Sequence, residues 1–294
     1  MTNMIKCKIC NSEDVKHMFF SKNTHGKNIQ SGEEKFDLYE CNKCKCIFIS
    51  KLKVDSEYYK KYYNLGYYGN KKDKSISNFL EKLLFSYSMK RKEKMILDFF
   101  KNKTKKLKIL DIGCGAGNFL EKLDNKHFDK YGLEINQEGY KLCKNKGVKV
   151  INKEINKFDF KQEKFDVVTI WCVLEHINNP IETLKKIKEI LTNNGILIFQ
   201  IPNTGSMGFK FGRQNWFHLD SPRHLVIYNK SSINELCKIT GFKIINIKNE
   251  FYDYPLDLFW SIRNSKIKYL FYPFYPLIKF SSKELLTIIC KKND

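Results

Sequence analysis

The chain has 294 residues, 42% of them hydrophobic, and a formal net charge of +21. That length covers a large domain plus a small one, and no apolar run in it is long enough to span a bilayer. Only four of the 53 basic residues are arginine (Arg91, Arg213, Arg223, Arg263). This speaks against a reader of bases built on bidentate arginine, and a lysine- and asparagine-rich compositional bias accounts for the charge more simply than a charged partner does.

The N-terminus is polar and reaches Cys7 and Cys10 at once, so no secretory signal is expected. Ten cysteines in such a chain read as thiols or metal ligands in a reducing, cytoplasmic compartment. Cys7-x-x-Cys10 and Cys41-x-x-Cys44 lie thirty residues apart. Each pair forms a knuckle whose two thiolates point at one ion, and two knuckles complete a tetrahedral zinc site. Residues 1–55 are therefore predicted as a zinc-ribbon-like domain, with a polar glycine-containing stretch at 25–32 and a short strand at 35–40. Cys46 competes with Cys44 for the fourth position, and His17 and His25 read as surface residues.

Residues 56–104 form a linker and lead-in helix. Tyr58, Tyr59, Tyr62, Tyr63, Tyr67 and Tyr68 crowd its start, either as a linker helix packing its rings on the main domain or as a flap over a site. Over 76–101, Phe79, Leu83, Leu84, Tyr87, Met95, Leu97 and Phe100 recur at helical spacing.

From 105 to 294 strands and helices alternate. Strands are predicted at 108–112, 130–134, 148–152, 165–171, 195–201, 242–251 and 285–291, and helices near 117–125, 136–145, 179–192 and 231–239. This predicts an α/β fold with a doubly wound, mostly parallel, seven-stranded Rossmann-like sheet. Ligands of such sheets bind at the carboxyl ends of the strands. The first strand ends in Asp111 and runs into Gly113, Gly115 and Gly117, which open a helix. Alternating glycines let a ligand approach the backbone, and the turn before a helix offers an anion-friendly floor. The pattern is D-x-G-x-G-x-G, not the G-x-G-x-x-G of dinucleotide folds. Glu134 ends the second strand, 23 positions after Asp111, where a carboxylate can accept from two ribose hydroxyls, with Asn136 and Gln137 beside it. Glu154 and Ile155 follow the third strand, and Phe165-Asp166-Val167-Val168 leads through Cys172 and Val173 to Leu174-Glu175-His176 at the end of the fourth.

Together these segments resemble the class I S-adenosylmethionine-dependent methyltransferases. The resemblance implies S-adenosyl-L-methionine as cofactor, with Asp111 at its amino acid end and Gly113, Gly115 and Gly117 as floor. It places Glu134 at the ribose, Ile155 at the adenine, and Cys172 and Val173 against the cofactor. Glu175 and His176 fall beside the methyl donor, and His176 is either a catalytic base or a helix cap. The fifth strand ends in Pro202-Asn203 without the Asn/Asp-Pro-Pro-aromatic tetrapeptide, which speaks against a nucleic-acid base as acceptor.

Residues 215–228 concentrate Trp216, His218, Asp220, Arg223 and His224 in one loop, a costly set to bury without purpose. The segment resembles D-x-P-R-H-L of methyltransferases with zinc-binding N-termini, among them deoxysugar and cell-surface glycan enzymes. By that resemblance Trp216, His218, Asp220 and Arg223 face the acceptor and His224 is the first candidate base. The alternative is a structural Asp220–Arg223 pair with His224 capping the next helix. The deoxysugar C-methyltransferases carry a further C-terminal domain that this chain stops short of, which weighs against C-methylation. Finally, 254–280 is an apolar, aromatic insertion with Arg263, Lys266, Lys268 and Lys279. It suits peripheral contact with an anionic membrane, or else a dimer interface or lid. The expected function is methyl transfer to a saccharide or glycan intermediate. An RNA methyltransferase and a non-catalytic zinc-dependent binding module are the alternatives.

Overall fold

The structure, a computed structural model, describes residues 4–22, 34–63, 76–101 and 104–293, and for 76–82 the backbone alone. The stretch 25–32 with His25, the rings of Tyr67 and Tyr68, and the side chain of Phe79 lie outside the described residues.

The N-terminal part holds strands β1 (Val15–Lys22), β2 (Lys35–Cys41) and β3 (Ile47–Ile49), then helices α1 (Ser56–Tyr62) and α2 (Ile76–Leu97). There follow β4 (Leu107–Ile112), α3 (Asn118–Lys122), β5 (Phe128–Leu133), α4 (Gln137–Lys144), β6 (Lys149–Ile151) and β7 (Phe165–Trp171). The chain continues with α5 (Pro180–Ile190), β8 (Leu191–Pro202), α6 (Met207–Gly212), β9 (Val226–Ile227), α7 (Lys230–Thr240) and β10 (Phe242–Glu250). Short helices α8 (Asp257–Ile262), α9 (Lys268–Phe271) and α10 (Tyr275–Ser281) precede β11 (Leu285–Lys292).

The main sheet has seven strands in the order β6-β5-β4-β7-β8-β11-β10. β6, β5, β4, β7 and β8 are mutually parallel. β11 runs antiparallel to both β8 and β10. The central strands β4, β7 and β8 are almost continuously buried apolar runs, as expected of a sheet covered on both faces. Asparagine side chains start the covering helices: Asn136 caps α4, Asn179 caps α5 ahead of Pro180, and Asn229 forms a capping box with Ser232 on α7. Strand order reverses between β4 and β7, and that switch point opens a crevice at their carboxyl ends. Because β10 points the same way as β8, its insertion 251–284 lies at this same edge of the sheet.

The smaller sheet has the order β1-β2-β3-β9. Its fourth strand comes from far along the chain: Ile47 pairs with Ile227 and Phe48 with Val226. The N-terminal segment is therefore closed by residues outside 1–55. One apolar cluster runs from Cys7, Cys41 and Phe48 through Leu225 and Tyr228 to Leu110 and Val168 of the main sheet. The lead-in helix turns a different face inward from the one its apolar spacing predicts. Ser88, Met89, Lys92 and Ile96 are buried, whereas Leu83 and Tyr87 are exposed. A lysine and a serine hold the inner stripe because an ion pair meets them there. No helix of the described residues is long and apolar enough to cross a membrane.

Candidate active site

A cleft of about 1300 Å³ opens at the switch point, lined by Asp111, Gly113, Gly115, Glu134, Ile155, Cys172 and Val173 among others. Gly113 and Gly115 form its floor, whereas Gly117, expected there as well, is not among the lining residues and packs against Cys143. Gly113, Gly115 and Gly117 all have positive φ. A Cβ on Gly113 would stand 2.6 Å from Val173, and one on Gly117 would stand 2.6 Å from the Cys143 sulfur. Larger residues are thus excluded by both conformation and space. The donors of this turn are already engaged: Gly113 and Cys114 N–H both reach the Leu133 carbonyl (2.8 and 3.0 Å), and Gly115 N–H donates to Glu134 Oε2 (2.7 Å). These three N–H groups are thus turned to Leu133 and Glu134, and the turn offers a surface that a ligand can approach closely.

Glu134 is buried at the tip of β5, and its Oε1 accepts from Asn136 N–H at 2.7 Å. Two backbone donors hold the carboxylate in one orientation. Asn136 itself caps α4 through Glu138 and Gly139 N–H. Asp111, also buried, accepts from Thr169 Oγ1 at 2.7 Å. Burial pushes its pKa up to about 7, with the Thr169 bond and Lys92 pulling the other way. Such an acid is poised to ionise when a cation arrives. Cys172, at the end of β7, has φ +52 and donates its N–H to the Gln200 carbonyl. Burial holds its thiol well above the usual range, so it is no thiolate nucleophile.

The cleft wall also carries Lys92, Asp253, Gln200, Phe85 and Met89, which sequence reading did not single out. Lys92 pairs with Asp253 at 2.8 Å and sits 4.3 Å over the Trp171 ring. Burial raises the Asp253 carboxyl, but Lys92 and the Ser88 hydroxyl outweigh it and hold the pKa below the usual value. Gln200, Tyr254, Phe85, Met89, Tyr59 and Tyr63 complete this wall. In the tyrosine helix Tyr58 and Tyr62 are buried, while Tyr59 and Tyr63 line the cleft. The one sequence signal for Lys92 was its place at helical spacing from Met89 and Ile96.

The two histidines separate. His176 lines the cleft, with Nδ1 2.9 Å from both the Arg223 carbonyl and the Tyr63 hydroxyl. With Nδ1–H donated to the carbonyl, Nε2 is the basic nitrogen, and burial lowers its pKa so that the ring is neutral near pH 7. His224 is not among the cleft-lining residues. It is 6% exposed, its Nδ1 meets the His218 carbonyl at 2.8 Å, and burial lowers its pKa to about 3. The first-choice base of the sequence reading is thus placed in the packing behind His176, 4.6 Å ring to ring.

The rest of that loop is likewise turned inward. Trp216 Nε1–H donates to Glu284 Oε2 (2.8 Å), and His218 Nε2 meets Asp257 Oδ2 (2.9 Å). Arg223 donates twice to Asp220 Oδ1 (2.9 and 2.7 Å). None of Trp216, His218, Asp220 and Arg223 is among the residues that line this cleft. His218 is held by a partner on α8, Trp216 by one just before β11, and Asp220 and Arg223 pair with each other. His224 does not cap the following helix either, since Asn229 does.

Glu175 is fully buried between these histidines, with neither carboxylate oxygen hydrogen-bonded. Burial raises its pKa to about 8. The folded state therefore favours the neutral acid, and stability from this group is present below about pH 4 and lost as pH rises through 8. Glu175→Gln is expected to raise the melting temperature at pH 9 but not at pH 4, in thermal melts at both values.

At the N-terminus, the sulfurs of Cys7, Cys10, Cys41 and Cys44 lie within 4.8 Å of one another. Cys46 abuts Cys7 (3.3 Å) and Cys44 (3.5 Å) but stands outside that group. Four sulfurs at 2.3 Å from one ion would lie roughly 3.8 Å apart. The donor set and its compactness fit tetrahedral zinc.

The profile of the methyltransferase domain family matches residues 84–247, more than half of the chain. The chain belongs to this family. Among curated proteins, an uncharacterized protein of Methanocaldococcus jannaschii is 30% identical over 143 residues (47% of this chain, 65% of that protein). A ubiquinone biosynthesis O-methyltransferase of Actinobacillus pleuropneumoniae is 29% identical over 121 residues (36% and 52%). The chain thus spans between half and two thirds of these relatives' lengths. Among solved structures, magnesium protoporphyrin IX methyltransferase from Synechocystis PCC 6803 with bound SAH shares the fold at TM-score 0.57 and 11% identity (81% of this chain, 100% of that one). The plantazolicin methyltransferase BpumL with SAH does so at TM-score 0.52 and 18% identity (78% and 93%).

Proposed function

We propose that this chain is an S-adenosylmethionine-dependent methyltransferase whose acceptor is a hydroxyl of a saccharide or glycan intermediate. The observation that carries the cofactor assignment is Glu134, held by Gly115 and Asn136 N–H beside Gly113, where a Cβ would run into Val173. Glu134 binds the ribose, Ile155 packs on the adenine, and Val173 and the Cys172 backbone line the donor's middle. Asp111 takes the positively charged amino acid end. S-adenosylmethionine supplies a methyl group already activated on a sulfonium, so the protein's tasks are alignment, exclusion of water and removal of the acceptor proton. His176 is the base, because it is the cleft-lining histidine whose Nδ1 is fixed by a carbonyl. Relatives named O-methyltransferases favour an oxygen acceptor. Aromatic rings of Trp171 and Tyr254 beside Lys92, Asp253 and Gln200 suit a saccharide, with ring faces for C–H edges and polar groups for hydroxyls. Zinc held by Cys7, Cys10, Cys41 and Cys44 is structural, and ten cysteines with no disulfide among them accord with a reducing, cytoplasmic setting.

Methyl-labelled S-adenosylmethionine should label saccharide or glycan-intermediate acceptors; label entering RNA alone would overturn the acceptor class. On the accepted substrate, His176→Ala should lower kcat by about a hundredfold or more while the affinity for S-adenosylhomocysteine stays within about twofold. His224→Ala should instead show chiefly a lowered melting temperature. Full activity of the His176 variant would remove it as base.

A further inference from the structure

Among the described residues, the insertion between β10 and β11 carries a set of exposed large apolar side chains. Tyr269 (75% exposed), Leu270 (66%), Phe274 (57%), Leu277 (74%) and Phe280 (74%) project from α9, α10 and the turn between them, with Trp260 on α8. Soluble surfaces scatter single large apolar side chains, but six of them within residues 260–280 mark an interaction site. The same helices bury a second set, Leu258, Ile262 and Phe271, so the exposed set is not needed for folding.

The charge around this face has one sign. Between residues 254 and 283 the sole carboxylate is Asp257. It is buried, held by Lys279 (2.6 Å) and His218 (2.9 Å). Arg263, Lys266 and Lys283 are exposed, and Lys268 is half-buried. Arg263 stands 5.4 Å from the Trp260 ring centre and Lys268 stands 5.2 Å from that of Tyr269. Cations riding on the aromatic rings of an exposed apolar face suit the headgroup layer of an anionic membrane. A second copy of the chain fits worse, because a twofold contact would set this basic face against itself.

The face also runs on toward the cleft. Phe280 meets Phe251 (6.2 Å between ring centres), Phe251 meets Tyr252 (5.1 Å), and Tyr252 meets Tyr87 of α2 (4.9 Å). Phe85 of α2 and Tyr254 line the cleft itself. The apolar surface and the cleft therefore share an edge of the molecule.

We infer that the 254–283 face docks on an anionic lipid surface as a peripheral contact, burying Tyr269, Leu270, Phe274, Leu277 and Phe280 at headgroup depth. The inference stands apart from methyl transfer, because it concerns a surface and not the cofactor site. The test is co-sedimentation of the full chain with vesicles of phosphatidylcholine, with and without phosphatidylglycerol. Binding is expected only with phosphatidylglycerol, weakening as salt rises. Leu277→Asp with Phe280→Asp should weaken it at least about tenfold with an unchanged melting curve. Lys266→Glu with Lys268→Glu should weaken it and flatten the salt dependence. Equal binding to both vesicle types would overturn the inference, and so would binding that survives Leu277→Asp with Phe280→Asp. No vesicle binding together with a dimer broken by Leu277→Asp would assign the face to a second copy instead.

Discussion

Replacing Glu134 by alanine is expected to weaken binding of S-adenosylhomocysteine by more than tenfold, as read by calorimetry. Two effects add. The ribose hydroxyls lose a charged acceptor, and a hydrogen bond to a charged group contributes about 1.5–3 kcal/mol. In addition, Gly115 and Asn136 N–H lose the carboxylate that both donate to, which loosens the glycine turn and the start of α4 together. Glu134→Gln separates the contributions: an amide has one acceptor oxygen and a donor nitrogen, so one of the two backbone N–H groups is left facing a donor. Glutamine should therefore recover only part of the loss. Unchanged affinity in the alanine variant would remove Glu134 from the cofactor site.

Replacing Cys41 by serine is the second large effect expected. Each thiolate of a four-sulfur site is needed for tight zinc binding, and in small ribbons the metal's binding energy is folding energy. Here the consequence spreads, because β3 pairs with β9 and Ile49 N–H reaches the Leu225 carbonyl at 3.2 Å. The same segment supplies the Arg223 carbonyl that orients His176. Loss of zinc should lower the melting temperature by several degrees or more, and should reduce turnover although no cysteine of the cluster touches the cleft. Metal analysis of the purified chain should give one zinc per molecule, falling to none in the variant. A Cys41→Ser protein that retains both zinc and the wild-type melting curve would refute the assignment. Cys46→Ser serves as the control, since its sulfur lies beside the four and not among them.

What the sequence made legible follows from where burial is complete. β4, β7 and β8 announce themselves because strands covered on both faces must be apolar throughout. The glycine turn is legible because positive φ and close packing admit no other residue there. Glu134 is legible because it stands at a strand end. The antiparallel placement of β11 was not legible, since register carries no local mark. β9 has two residues, and only pairing with β3 makes it a strand.

The loop at 216–224 shows why residue type alone misleads. Histidine, aspartate, arginine and tryptophan serve equally as catalytic groups or as a buried polar network, and the difference lies in partners far along the chain. Trp216 is tied to Glu284 and His218 to Asp257, neither visible as a partner from the loop itself. Lys92 and Asp253 are the converse case, two cleft residues 161 positions apart whose pairing only the fold supplies.

The central claim is that the cleft at the β4–β7 switch point holds S-adenosylmethionine. Calorimetric titration of the purified, zinc-loaded full chain with S-adenosylhomocysteine tests it most directly. The account predicts a single site with a dissociation constant in the micromolar range, lost or weakened more than tenfold in Glu134→Ala. Absence of binding by the folded wild-type chain, or binding indifferent to Glu134, would contradict it.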